Sequence, residues 1–220
     1  MRYLPIHIDT KDATLRVIGG GEAAEAKLRT LIKTEARLEV VSDSISAEIS
    51  RWAEDGHLIW IQKSFDISDL DGARLVYAAT EDDALNAEIA AAAQEHGVLA
   101  NAADQKSACA FITPALVDRS PVLVSIGTEG TTPGLARALK ADLEKRLPAD
   151  LGKLALLTKK LRAKVKTHLP DLSDRQTFWA RIFGGNDLTH QLRSDVKTFT
   201  ETVENALLNQ STVKTGQVAL

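Results

Sequence analysis

Val17-Ile-Gly-Gly-Gly-Glu-Ala-Ala24 lies between a short β-branched run and a helical pattern, and that placement decides the fold. Read as G-x-G-x-x-A, it puts Gly19 at a tight turn, Gly21 where the backbone must approach a bound pyrophosphate, and the small Ala24 where helix and strand pack closely. The helix that follows would turn its amino terminus, with unpaired N–H groups and partial positive charge, toward the same anion. A glycine-rich connection without a ligand is the competing reading, and the strand before and helix after the turn weigh against it.

Outward from this turn, the first half of the chain alternates β-branched runs with helical patterns, the signature of an α/β fold with a Rossmann-like parallel sheet. Leu15 to Ile18 reads as the first strand, and Glu22 to Lys33 as a helix with Ala23, Ala26, Leu28, Leu31 and Ile32 on its inward face. Arg37 to Val41, Leu58 to Ile61, Ala73 to Ala79 and Val98 to Ala100 supply further strands, Ala84 to Gln94 a helix, and Pro121 to Ile126 a sixth strand. Beyond Thr128 the chain is helical. Thr132-Pro133 places a cap and a proline at the start of a helix running to about Leu147. Leu151, Leu154, Leu157, Leu161 and Val165 keep helical spacing, Ser173 with Gln176 reads as a capping box, and Gly184-Gly185 as a stop. Leu188, Leu192, Val196, Phe199, Val203 and Leu207 form a last amphipathic stripe, residues 209–216 a polar linker, and Gln217-Val-Ala-Leu220 the start of a further strand.

The 220 residues, 44% apolar and 26% charged, describe an ordinary globular chain rather than a disordered or fibrous one. A net charge of −3 gives no general attraction to nucleic acid or to an acidic membrane, so an anionic ligand must be met by local charge. One cysteine, Cys109, makes no internal disulfide, and the five histidines show no metal-ligand spacing with it. No run is long enough to span a bilayer and the amino terminus lacks a signal peptide's apolar core, so a cytoplasmic protein is expected.

Candidate site residues follow from the ends of the strands. Asp43, after the second strand and roughly 20 residues past Gly21, stands where a carboxylate accepts the adenosine ribose hydroxyls, which favours NAD over NADP; it is equally placed to cap a helix beginning nearby. Thr80 ends the fourth strand at the same sheet edge, as a cofactor contact or a cap. Asn101 and Asp104 follow a buried strand on that edge, where an amide and a carboxylate would face the nicotinamide end of the crevice; Asp104 is the candidate base, an ordinary turn aspartate the alternative. Lys153, Lys159, Lys160, Arg162, Lys164 and Lys166 read first as a solvated helix face and second as an attraction for a polycarboxylate. Trp179 and Phe183 read as helix packing, and Cys109 as a small buried hydrophobe.

Leu4-Pro-Ile-His-Ile8, the 17–24 stretch, Ala78-Ala-Thr-Glu-Asp-Asp83, Asn101-Ala-Ala-Asp104 and Phe111-Ile-Thr-Pro-Ala-Leu-Val-Asp-Arg-Ser-Pro-Val122, in this order and over nearly the whole chain, resemble the N-terminal module of siroheme synthases. The resemblance implies an NAD-dependent precorrin-2 dehydrogenase and sirohydrochlorin ferrochelatase, with Fe²⁺ as substrate and siroheme as product. It implies NAD contacts at Glu22, Ala23, Asp43 and Ser44, a key carboxylate at Asp104, and tetrapyrrole contacts at Asn101 and Thr128. It also implies a homodimer, with an NAD-binding domain over 1–113, a dimerisation segment over 114–147, a helical domain over 148–208, and a linker over 209–220 into a methyltransferase domain. Gly127-Thr-Glu-Gly-Thr-Thr-Pro133 departs from the family's Ser-Ser-Gly-Gly-Thr-Ser-Pro: Thr128 stands where some relatives carry a phosphorylatable serine, and Glu129 adds a negative charge. A dehydrogenase without chelation and a non-enzymatic NAD-sensing module are the alternative readings.

Overall fold

Where strands are buried on both faces, apolar residues need not alternate with polar ones, and the runs of the first half follow that rule. In the computed structural model, which describes residues 1–184 and 196–216, they form strands β1 (Thr14–Ile18), β2 (Arg37–Val41), β3 (Ile59–Ile61), β4 (Ala73–Ala78) and β5 (Leu99–Ala102). All pair in parallel, in the order β3-β2-β1-β4-β5. The order reverses direction at β1, so the crevice between the carboxyl ends of β1 and β4 is the topological switch point where ligands of such sheets bind.

Helices α1 (Glu22–Leu31), α2 (Ala47–Glu54) and α3 (Asp83–Glu95) connect the strands, each with an apolar stripe turned inward. One core joins Ala24 and Leu28 of α1 and Ile49 and Trp52 of α2 to Leu15, Val17, Leu38, Val40 and Tyr77. The other joins Ile89, Ala90 and Ala93 of α3 to Ile18, Val41, Val76, Ala78, Ala100 and Ala102. This second face holds a buried charged pair. Arg16 on β1 lies in register with Glu39 on β2, their Nε and Oε2 atoms 2.6 Å apart, and Arg37 Nε meets Glu39 Oε1 at 2.8 Å. The Arg16 guanidinium also donates to the carbonyls of Asp69 and Asp71, tying the short 3-10 turn Ile67–Leu70 to the centre of the sheet.

The expected sixth parallel strand is instead one arm of an antiparallel hairpin, β6 (Ala115–Arg119) with β7 (Val122–Ile126). Ser120 and Pro121, joined by a cis peptide bond, are all that separate the arms, far fewer residues than a parallel crossover requires. The polar Asp118-Arg119 pair masks β6 in the sequence pattern.

The chain divides into two compact units, Met1–Thr113 with Glu129–Thr131, and Pro114–Thr128 with the helices that follow. In the second unit α4 (Pro133–Arg146) starts with Thr132 at its cap and Pro133 at its first position, followed by α5 (Leu151–His168), α6 (Leu172–Phe183) and α7 (Val196–Gly216). Leu151, Leu154, Val165, Phe178, Ile182, Phe199, Val203 and Leu207 make its core. Gly152 has no room for a side chain, since a Cβ there would lie 1.9 Å from the Ser120 carbonyl oxygen.

Two helix boundaries differ from the reading of the sequence. Helix α6 starts at Leu172 with Asp171 at its cap, which puts Ser173 inside the first turn rather than in a capping box. Helix α7 runs through Gly216, so residues 209–216, read as a linker, continue the helix whose stripe includes Phe199, Val203 and Leu207. Gly185, Leu188, Leu192 and the strand start at residues 217–220 lie outside the described residues.

Glu39 is buried and holds two arginines, so Glu39→Ala is expected to lower stability by about 3 kcal/mol, because it leaves the largely buried Arg16 without its carboxylate. Denaturant unfolding of the variant checks this, and a change under 1 kcal/mol would contradict it.

Candidate dinucleotide site

The glycine turn is sutured to its neighbours by backbone hydrogen bonds. Gly19 N–H donates to the Val41 carbonyl at the end of β2 (2.9 Å), and Ala79 N–H, just past β4, donates to the Ile18 carbonyl (2.8 Å). Gly19 has φ +120°, and a Cβ there would lie 2.2 Å from the Ala79 carbonyl oxygen. Gly20, an unspecified position in the spacing rule, is enclosed more tightly: a Cβ would lie 2.0 Å from the Ser44 carbonyl oxygen, while Gly20's own carbonyl accepts the Ser46 N–H at 2.9 Å. Gly21 is different. Its Cβ would meet only Glu81 Oε1, at 3.5 Å, so the protein itself does not require glycine there.

Gly21 is also the cap residue of α1, and it carries no side chain to satisfy the helix terminus. The first intrahelical bond of the turn runs from Glu25 N–H to the Gly21 carbonyl (3.0 Å), which leaves the N–H groups of Glu22, Ala23 and Ala24 without intrahelical acceptors. Beside them opens a cavity of about 520 Å³, walled by the glycine turn, by 41–46 after β2, by Lys63-Ser64-Phe65 after β3, and by Thr80-Glu81 after β4. A helix that starts at Gly21, in the wall of a cavity of this size, suits a pyrophosphate and its attached nucleoside.

Asp43 is not the helix cap. That place belongs to Ser46, whose Oγ accepts the Ile49 N–H at 3.3 Å. The Asp43 carboxylate instead lies at the cavity wall, its oxygens 2.8 and 3.0 Å from the Ser64 hydroxyl, and its carbonyl accepts from Gln62 Nε2 at 3.3 Å. Ser44 supplies the carbonyl that confines Gly20 and accepts the Ser42 hydroxyl at 2.7 Å. Ser64 was not among the residues singled out by sequence spacing, because its partner lies across β2 and β3 rather than nearby in the chain.

Thr80 lines the cavity, but its polar atoms are engaged locally. Its hydroxyl is 2.8 Å from Asn86 Oδ1, its N–H donates to the same oxygen at 3.0 Å, and Asn86 Nδ2 donates to its carbonyl at 3.0 Å. Asp82 caps α3 in its place, accepting from Ala84 and Leu85 N–H. The buried Asn86 is therefore the residue that sets this edge of the site, and sequence spacing gave no sign of it.

After β5 the chain turns at Asp104, which is exposed and adopts φ +56°, a left-handed conformation that non-glycine residues rarely hold. Its carboxylate has no hydrogen-bond or ion-pair partner among the described residues. Asn101 does not face outward as its neighbour does. It is buried, and its amide donates to the Phe111 carbonyl at 2.9 Å and to Cys109 Sγ at 3.4 Å. The amide thus shapes the loop carrying Asp104 rather than offering itself to a substrate. Cys109 is half-buried and hydrogen-bonds the carbonyls of Ala102 and Gln105, both at 3.2 Å, within the same turn. Tyr77, opposite Asn101, packs edge-on against Phe111 and reaches Thr113 Oγ1 at 3.2 Å; burial pushes its phenol above the ordinary value.

Thr128 belongs to the second unit and is half-buried there. Glu129 belongs to the first, where its carboxylate accepts the Arg2 N–H at 3.0 Å. In the helical unit Trp179 stacks on Phe183 within the core, as its packing reading expects. The lysines and arginine of α5 lie on its exposed side, Lys164 paired with Glu204 at 2.5 Å. Among the described residues no three histidine, cysteine, aspartate or glutamate side chains group as a metal site, and no helix is long and apolar enough to cross a membrane.

A doubly wound parallel sheet with an enclosed glycine turn, an open helix terminus and a carboxylate after β2 defines a Rossmann-like dinucleotide-binding protein. Residues 6–115 match the family model of NAD(P)-binding domains, and residues 150–207 match the sirohaem synthase dimerisation region. The chain belongs to the family formed by the N-terminal region of siroheme synthases. It is 38% identical over 221 residues to siroheme synthase of Escherichia coli O17:K52:H18, covering 100% of this chain and 48% of that protein. It is 37% identical over 212 residues to siroheme synthase 1 of Serratia proteamaculans, covering 91% of this chain and 44% of the relative. The chain thus spans about half the length of the curated relatives it matches. The solved structure of SirC, precorrin-2 dehydrogenase, superposes with a TM-score of 0.73 at 22% identity, covering 92% of this chain and 100% of that one, and so shares the fold.

The glycines separate structure from binding. Gly20→Ala is expected to destabilise the domain and abolish dinucleotide binding, because its Cβ would collide with the Ser44 carbonyl. Gly21→Ala is expected to keep the melting temperature within a few degrees while weakening NAD⁺ by about tenfold or more. Thermal melts and titration calorimetry measure both, and equal behaviour of the two variants would contradict the assignment.

Proposed function

We propose that this chain dehydrogenates precorrin-2 to sirohydrochlorin with NAD⁺ as oxidant and inserts Fe²⁺ into the product to give siroheme. The observation that carries the reading is Asp104: an exposed carboxylate without a partner among the described residues, held in a left-handed turn at the end of β5, on the same carboxyl edge of the sheet as the glycine turn. Strain of this kind persists where surrounding contacts enforce it, and Asn101 with Cys109 supplies those contacts. The relatives favour the substrate class: the matched proteins are siroheme synthases, and the superposed structure is a precorrin-2 dehydrogenase.

The residues present fit the cofactor. The N–H groups of Glu22 and Ala23 would hold the pyrophosphate, and Asp43 with the Ser44 segment the adenosine ribose, while Gly21 leaves room for both. When bound, NAD⁺ supplies the acceptor for a hydride from the ring carbon. Loss of that hydride must be matched by loss of a proton, and Asp104 accepts it; the sum is precorrin-2 plus NAD⁺ giving sirohydrochlorin, NADH and H⁺. Metal insertion displaces two protons from the ring nitrogens as Fe²⁺ enters, and the same carboxylate is the group available to take protons there. A homodimer forms through the dimerisation region.

The test mixes the purified protein with precorrin-2 and NAD⁺ without metal, follows NADH absorbance and the sirohydrochlorin spectrum, and then adds Fe²⁺. Both signals are expected, then siroheme. Asp104→Ala is expected to lower NADH formation at least 100-fold with NAD⁺ affinity unchanged. Full turnover in this variant would remove Asp104 from the chemistry. NADH without siroheme would restrict the function to dehydrogenation.

A further inference from the structure

Asp43 alone does not explain how the cavity would tell one dinucleotide from another, because a second charge lines the same wall. Lys63, in the loop after β3, is the only cation among the described residues lining the cavity. A free ammonium near a ribose-binding carboxylate would be a ready receptor for a ribose phosphate. Lys63 is not free: its Nζ is 2.8 Å from Asp69 Oδ1.

Asp69 is built to keep it there. It is over nine-tenths buried, and its second oxygen, Oδ2, accepts the Asp66 N–H at 2.9 Å as half of a reciprocal capping box. The Asp69 carbonyl in turn receives the Arg16 guanidinium, which is fixed by buried Glu39 in the sheet. Between Lys63 and this anchor runs the short loop that presents Ser64, whose hydroxyl holds both oxygens of Asp43. The loop therefore orients an acceptor for ribose hydroxyls while drawing the nearby cation away.

Resting on the dinucleotide reading above, we propose that Asp69 and Ser64 are specificity-determining positioning residues: Ser64 aims Asp43 at the ribose hydroxyls, and Asp69 withholds Lys63 from a ribose phosphate, so that the site selects the unphosphorylated dinucleotide. Asp69 acts through Lys63, and Ser64 through Asp43. Neither needs to touch the cofactor.

Calorimetric titration of the full chain with NAD⁺ and with NADP⁺ tests this. The wild type is expected to bind NAD⁺ at least tenfold more tightly. Asp69→Asn keeps an oxygen for the capping box but removes the charge, and is expected to tighten NADP⁺ about tenfold relative to NAD⁺. Asp69→Asn combined with Lys63→Ala should lose that gain, which a merely loosened fold would not do. Ser64→Ala, at an exposed position, should weaken NAD⁺ several-fold with NADP⁺ little changed. If Asp69→Asn fails to fold, Ser64→Ala decides, and an unchanged NAD⁺ to NADP⁺ ratio in it overturns the proposal. An unchanged ratio in folded Asp69→Asn, or a wild type that binds both dinucleotides equally, also overturns it and leaves the dinucleotide reading standing. Binding of neither dinucleotide by the wild type would remove that reading and the proposal together.

Discussion

Two carbonyl oxygens, those of Ala79 and Ser44, close on Gly19 and Gly20 so tightly that no Cβ fits between them. That constraint organises the first unit. It brings the ends of β2 and β4 against the exit of β1, so the loops after those strands become walls of a single cavity. It also fixes where α1 starts, and with that the direction in which three unpaired N–H groups face. Gly21, one position on, is relieved of the constraint and is the place left for a ligand. The steric requirement for glycine thus ends between adjacent residues, Gly20 and Gly21.

Away from the turn, polar contacts hold the segments that connect the strands. Arg16 and Glu39 reach from the middle of the sheet to Asp69, Asn86 closes the loop after β4, and Asn101 closes the loop after β5. Asn86 and Asn101 are more buried than Thr80 and Asp104, the residues they position. This is what preorganisation of a site requires: the group that meets the ligand stays accessible, and its support is shielded from water.

Much of this was legible in the sequence where local rules operate. The β1-glycine-α1 unit, the five parallel strands, the proline start of α4 and the amphipathic stripe of α7 follow from spacing and turn chemistry over a few residues. What spacing did not show is set by contacts between loops and strands rather than by position along the chain. Ser64 meets Asp43 only because β2 pairs with β3, and Asn101 turned inward because Phe111 offers a carbonyl across the loop. The hairpin β6–β7 went unread because Asp118 and Arg119 interrupt an apolar run that pairing across two residues nonetheless supports. Gly20 was invisible for another reason: spacing rules name the glycines facing a ligand, whereas Gly20 faces the protein.

The account stands on the glycine turn, the start of α1 and Asp43 forming one dinucleotide site. A crystal structure of the chain soaked with NAD⁺ tests it most directly. The account predicts pyrophosphate density on the N–H groups of Glu22 and Ala23, the adenosine ribose hydroxyls on the Asp43 carboxylate, and Ser64 still bonded to that carboxylate. A dinucleotide bound elsewhere, or ribose hydroxyls with no contact to Asp43, would contradict it.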